Sequence, residues 1–303
     1  MEQKTFASLY GIHVPLVTPF AADGRIAEDA LEALARSVLD AGAAGIVALG
    51  TTGEAAALDP AEKHAVIDVC ATVCGERGAA LTVGAGSNDT RSGAAALAGL
   101  ARWPQITAAL VAVPYYTRPG EAGVHAHFAE LAASSPVPLV AYHIPYRTAQ
   151  PLSGAALRAL ARIPGVLALK YAAGGIDQAA VELLGDPELP QEFTVLAGDD
   201  VYASPLMAIG SAGGILASAH LATRRFVELA DAWREGRAGR ARQLGHELAG
   251  LSAAAFAEPN PTVIKGVLHA RGRIPTPDVR LPLLPAGQDA VDAALKRLAA
   301  LGE

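Results

Sequence analysis

Short aliphatic runs alternate with helical patterns eight times along this chain, and few architectures accommodate such an alternation. The runs occupy residues 11–18 (GIHVPLVT), 45–49, 81–85, 109–113, 137–142, 166–171, 193–197 and 214–218. Between them the apolar positions switch to a helical period, as in Leu31, Leu34, Val38 and Leu39 ahead of the stop at Gly42. Asp59-Pro60-Ala61-Glu62 supplies an N-cap, a proline at the first helical position and a capping-box acid, so a helix starts there and carries Val66, Val69, Cys70 and Val73. Ser153 is the expected cap of the helix that buries Leu157, Leu160 and Ala161. Strands that read as continuous aliphatic runs are buried on both faces, as in a parallel sheet of βα units. Eight units in about 220 residues, with no glycine-rich dinucleotide fingerprint after the first strand, fit a closed barrel better than an open doubly wound sheet. The expected fold is therefore α/β, a (β/α)8 TIM barrel over residues 1–222, with a helical C-terminal extension over 223–303. In the extension only helical patterns remain, such as Phe226, Leu229, Ala230 and Trp233, interrupted by Glu258-Pro259-Asn260-Pro261.

One of these strands contains a residue out of keeping with its neighbours. Val166-Leu167-Ala168-Leu169 runs straight into Lys170 and Tyr171 after the turn Ile163-Pro164-Gly165. A lysine in such a strand either snorkels from the strand end to water or has a task. Burial penalises its ammonium, lowers its pKa and frees the amine, which is the requirement for a Schiff-base nucleophile. Barrel enzymes gather their chemistry at the C-terminal strand ends. Those ends would bring Lys170 together with Thr51 and Thr52, Tyr115 and Tyr116, Tyr142 and Arg147, and Gly198 and Asp199. Each residue alone has a structural reading, the threonines as a capping turn, the tyrosines as packing and Arg147 as a solvated charge. Together they make an amine, phenols able to move protons, hydroxyls and backbone N–H groups for one carboxylate, and a guanidinium for another.

Composition narrows the partners. A net charge of −6 with no cluster of Lys and Arg excludes a nucleic-acid face. The two cysteines, Cys70 and Cys74, suffice for neither a disulfide framework nor a four-ligand zinc site and read as small buried hydrophobes. His125 and His127 stand two apart on a helix, facing different ways, so no metal pair is expected. Asp199-Asp200 reads as a helix N-cap in preference to a Mg²⁺ site, since no further acids converge on it. The opening residues Met1 to Thr5 lead into no apolar leader segment, and no run approaches the length of a membrane span, so a cytoplasmic location is expected.

The stretches GTTGEAAAL (from Gly50), PYYTRP (from Pro114), YHIPYRT (from Tyr142), ALKYAAG (from Ala168), AGDD (from Ala197) and EPNPTVIK (from Glu258) resemble the dihydrodipicolinate synthase and N-acetylneuraminate lyase family, in order and over nearly the whole chain. The resemblance implies a class I pyruvate-dependent aldolase or lyase, a homotetramer built as a dimer of dimers, with no cofactor and no metal. It implies that Lys170 forms the imine with pyruvate, that Thr52 holds the pyruvate carboxylate, and that Tyr142 is the general acid and base. Thr51 and Tyr116 would complete a proton relay, Tyr116 reaching across from a neighbouring subunit, and Gly198 and Ile215 would line the pocket. Arg147 and the threonine pair favour the synthase branch, in which the small aldehyde is L-aspartate 4-semialdehyde and Arg147 binds its carboxylate. His143, Tyr171 and Ala149 stand where that branch commonly has Asn, Glu and Gly, and are expected to alter the pocket wall, with the alternative for Tyr171 that alternation along the strand points it away from the site. The alternatives are a pyruvate lyase of the same family acting on a sugar acid or another keto acid, and a non-catalytic barrel that binds keto acids.

Overall fold

The computed structural model describes residues 9–303; the opening segment Met1 to Thr5, read above as no leader, lies outside the described residues. Eight parallel strands close into one barrel in sequence order. They are β1 (Gly11–Pro15), β2 (Gly45–Ala48), β3 (Ala80–Gly84), β4 (Ile106–Ala112), β5 (Leu139–His143), β6 (Val166–Tyr171), β7 (Thr194–Ala197) and β8 (Gly213–Ile215). The helices that follow the strands are α1 (Glu28–Asp40), α2 (Pro60–Arg77), α3 (Thr90–Gly99), α4 (Gly120–Ser134), α5 (Gly154–Ala161), α6 (Gln178–Leu184), α7 (Ala203–Ala208) and α8 (Thr223–Arg234). Three more complete the chain: α9 (Ala238–Ala255), α10 (Thr262–Ala270) and α11 (Gln288–Ala300). No helix among the described residues is long and apolar enough to cross a membrane.

Local sequence signals set several of these boundaries. Asp59 and Glu62 form the reciprocal capping box that starts α2, and the Ser153 hydroxyl accepts from the Ala156 N–H to start α5. Both follow from satisfying the free N–H groups of a first helical turn. The β6 run occupies the residues that its apolar pattern marks out. β1 and β8 are shorter than their runs because the chain leaves the ladder for turns: Thr18 donates its hydroxyl to the Gly53 carbonyl at 2.7 Å, and Ala217–His220 forms a 3₁₀ turn.

Side-chain alternation separates two cores. Val140, Tyr142, Ala168, Leu196 and Ile215 fill the barrel interior. Ala141, Leu169, Tyr171 and Ala197 face outward into the larger core between strands and helices, where Cys70 and Cys74 are also buried. Tyr142 pairs in register with Lys170, and His143 with Tyr171. Successive residues point to opposite faces of a strand, so the first pair faces inward and the second outward.

The last helices are pinned to the barrel through a buried ion pair. Lys265 of α10 is 0% exposed; its Nζ lies 2.7 Å from Glu54 Oε1, donates to the Thr18 carbonyl at 2.9 Å, and sits 4.2 Å from the centroid of the Phe20 ring. The other Glu54 oxygen accepts from the Arg280 N–H at 2.8 Å. Removing one partner of such a pair strands the other charge in the core. Glu54→Gln is therefore expected to lower unfolding stability by about 3 kcal/mol. Denaturant titration checks this, and a loss below about 1 kcal/mol, the range of an exposed pair, would contradict the pinning role.

Candidate active site

The strand ends on the C-terminal side of the barrel converge on Lys170. Its side chain is 6% exposed and, among the described residues, has no ion-pair partner, unlike the other buried lysine, Lys265, which is neutralised by Glu54. Lys170 Nζ lies 4.3 Å from the centroid of the Tyr142 ring, the neighbour in register on β5. Burial lowers the Lys170 pKa from 10.5 to about 8; the carboxylates of Asp200 and Asp199 pull it partly back up, and Arg147 lowers it further. Desolvation thus dominates over nearby charge. The Tyr142 phenol is pushed well above its ordinary range, first by burial and then by Tyr146, against the lowering effects of Arg147 and the Thr51 hydroxyl. It is a phenol held protonated beside an amine poised near neutrality.

The other groups arrive from separate elements. β2 runs into a 3₁₀ turn, Thr51–Gly53, that presents both threonines. Arg147 belongs to the single helical turn Pro145–Thr148 after β5, with its guanidinium carbon 5.5 Å from the centroid of the Tyr146 ring. That turn ends at Ala149 in the left-handed region, φ +56°. This explains why glycine suits that position, since a Cβ is disfavoured there. Gly198 follows β7 and donates its N–H to the Tyr171 carbonyl at 2.7 Å. A Cβ on Gly198 would stand 2.8 Å from Lys170 Cγ and 2.9 Å from Cε, so the absent side chain is the space the lysine occupies.

Seven of the eight residues expected from sequence line one small cavity: Lys170, Tyr142, Thr51, Thr52, Arg147, Gly198 and Ile215. A larger cavity of about 760 Å³ adjoins it and shares Thr51, Tyr142, Arg147 and Asn260 with it. Tyr116 lies on neither wall; its side chain is 88% exposed and its backbone is left-handed at φ +67°.

Two sequence expectations need correction. His143 and Tyr171 do not alter the pocket wall: they sit on the outward face of β5 and β6, with ring centroids 5.5 Å apart, and the Tyr171 hydroxyl donates to Asp177. The period of two places them opposite to Tyr142 and Lys170. Asp199 stands at the N-cap position of the 3₁₀ turn Asp200–Tyr202, but its side chain makes no capping hydrogen bond to that turn. Asp199 Oδ2 instead accepts from the Gly174 N–H at 2.6 Å, and Asp200 Oδ2 from the Ser218 N–H at 2.5 Å. Asp200 is itself a cavity residue, its pKa raised to about 6 by burial despite the Ser218 bonds and Lys170. Among the described residues no group of three or more His, Cys, Asp or Glu could hold a metal ion.

The sequence reading also missed Asn260, which lines both cavities and donates from Nδ2 to Thr52 Oγ1 at 2.9 Å. Its signals were a polar residue held between two prolines, which reads as a helix break, and a place in the EPNPTVIK stretch that gave it no role; its partner lies 208 residues away.

Comparison with known proteins agrees with this geometry. Residues 8–301 match the profile of the dihydrodipicolinate synthetase family. A 4-hydroxy-tetrahydrodipicolinate synthase of Synechococcus elongatus is 35% identical over 290 residues, covering 95% of this chain and 94% of the relative. One from Moorella thermoacetica is 37% identical over 287 residues, covering 93% and 95%. The crystal structure of a chloride-inhibited dihydrodipicolinate synthase of Acinetobacter baumannii complexed with pyruvate superposes with a TM-score of 0.90 at 32% identity, over 96% of this chain and 99% of that one. A barrel of the same order, a profile match along almost its full length and relatives above 30% identity lead to one conclusion: the chain belongs to the dihydrodipicolinate synthetase family.

Proposed function

We propose that this protein is a 4-hydroxy-tetrahydrodipicolinate synthase, joining pyruvate to L-aspartate 4-semialdehyde. The observation that carries the reading is the buried, unpaired amine of Lys170 facing the Tyr142 phenol in a cavity walled by Thr51, Thr52 and Arg147. The names and identities of the relatives support it. The free amine adds to the keto carbon of pyruvate, and water leaves to give a protonated imine. Thr52 and its neighbouring backbone hold the pyruvate carboxylate. The iminium nitrogen draws electrons from the methyl carbon, which loses a proton to give an enamine, so no metal or organic cofactor enters the sequence. The enamine carbon attacks the aldehyde, and Tyr142 supplies and removes protons through a relay with Thr51 and with Tyr116 of a neighbouring subunit. The amino group of the semialdehyde then adds to the iminium carbon and displaces the Lys170 amine, closing the ring and freeing the lysine. Gly198, through its backbone oxygen, and Ile215 line the pocket, and Arg147 receives the carboxylate of the aldehyde substrate.

This role for Tyr116 requires an assembly, read as a homotetramer of paired dimers in the cytoplasm; its exposed position in the middle of the loop between β4 and α4 supports it. The barrel, 1–222, would carry the chemistry and the helical region, 223–303, would buttress it. Turnover with pyruvate and aspartate semialdehyde, run beside pyruvate and N-acetylmannosamine, tests the substrate assignment. Condensation is expected with the semialdehyde alone, and turnover with only the sugar would overturn it.

Gly198→Ala is expected to displace the Lys170 side chain. A misplacement near 1 Å slows imine formation by about a hundredfold. Stopped-flow or quench measurement of imine formation checks this, and an unchanged rate would show that the lysine reaches the keto acid by another path.

A further inference from the structure

The 3₁₀ turn that carries Thr52 is held from the far end of the chain. Asn260, in the loop between α9 and α10, donates from Nδ2 to Thr52 Oγ1 at 2.9 Å, and Oδ1 of the same carboxamide is buried with no hydrogen-bond partner. Both residues line the small cavity that holds Lys170. A hydroxyl has one proton and two lone pairs. When a carboxamide N–H occupies a lone pair of Thr52, the threonine proton is left free to be donated elsewhere, and the open side of the residue is the cavity.

We propose that Asn260 is a positioning residue for the keto acid: it orients the Thr52 hydroxyl so that its proton is presented to the substrate carboxylate. The proposal rests on the reading that Lys170 forms an imine with pyruvate. It assigns the C-terminal helical region a part in substrate recognition, although the region contributes nothing to the strand ends. A hydrogen bond to a charged group strengthens when its donor is fixed in advance, because the ordering has already been done by the protein.

The test is the pyruvate concentration giving half-maximal borohydride trapping, measured for wild type, Thr52→Val, Asn260→Ala and the double variant. Each single change is expected to raise it by about tenfold or more, as for one lost hydrogen bond to a charged group. The double variant should match Thr52→Val alone, because Asn260 acts only through that hydroxyl. Asn260→Asp keeps the shape but has no N–H to donate, and is also expected to raise the value; it serves where the alanine variant fails to fold. A value for Asn260→Asp equal to wild type, or independent effects that multiply in the double variant, would overturn the proposal. Absence of trapping in the wild type would instead reject the imine reading itself, so the two failures are distinguishable.

Discussion

Lys170→Ala is expected to lower kcat/KM for pyruvate by about 10⁴-fold or more, the scale of losing a covalent nucleophile, with the barrel still folded. The charge state of the wild-type amine makes the loss more diagnostic. With its pKa lowered to about 8, roughly one Lys170 in ten is the free amine at pH 7, against about one in three thousand for an ordinary lysine at 10.5. Imine formation should therefore rise about tenfold per pH unit on the acid side and level off above about pH 8. The same burial has a cost in stability. A lysine whose folded pKa lies below its unfolded value binds fewer protons when folded, so the penalty is absent well above pH 10.5, grows as pH falls between 10.5 and about 8, and is complete below about 8. Lys170→Met should then be inactive yet more stable than wild type by up to about 3 kcal/mol at pH 7, with the gain disappearing above pH 10.5. Thermal unfolding across that range checks the sign. A methionine variant less stable than wild type at pH 7 would mean that the ammonium is better solvated than its surroundings indicate.

Arg147→Ala is expected to weaken kcat/KM for the aldehyde substrate by about thirtyfold, near 2 kcal/mol, while leaving trapping with pyruvate close to wild type. The lower end of the range for a lost charge pairing applies because the Arg147 side chain is exposed in this chain and its pairing would be partly screened. Among the described residues Arg147 has no carboxylate of its own; its contact is the Tyr146 ring, which holds the guanidinium at the junction of the two cavities. The split between the two substrates is the informative quantity. Equal losses for pyruvate and aldehyde would point to a disturbed Tyr142, separated from Arg147 only by His143, Ile144, Pro145 and Tyr146, and unchanged kinetics would defeat the assignment of the aldehyde as a carboxylic acid.

What could be read from the sequence divides along a physical line. Lys170 was legible because a buried strand gives an amine few ways to be satisfied, and the order of the eight runs placed Tyr142 on the adjacent strand. Thr51, Thr52, Arg147 and Gly198 followed from one rule, that side chains at C-terminal strand ends share a mouth, whereas Ile215 followed only from the family resemblance. The errors arose where facing mattered as well as position. His143 and Tyr171 directly follow Tyr142 and Lys170 in sequence, yet one residue along a strand is the difference between the cavity and the outer core. Asp199 and Asp200 sit where a cap would, but the N–H groups of Gly174 and Ser218 on neighbouring loops claim their carboxylates. Asn260 and the Lys265–Glu54 pair join segments more than two hundred residues apart, a separation that no local periodicity encodes. Tyr116 differs again: its proposed partners lie on another subunit, so one chain shows only that the phenol is exposed.

Borohydride reduction in the presence of pyruvate, followed by intact mass measurement and peptide mapping, tests the central claim most directly. The account predicts one reduced pyruvate adduct per chain, located on Lys170 and absent from Lys170→Ala. No adduct on the wild type, or an adduct that persists in the alanine variant on Lys265 or any other lysine, would contradict it.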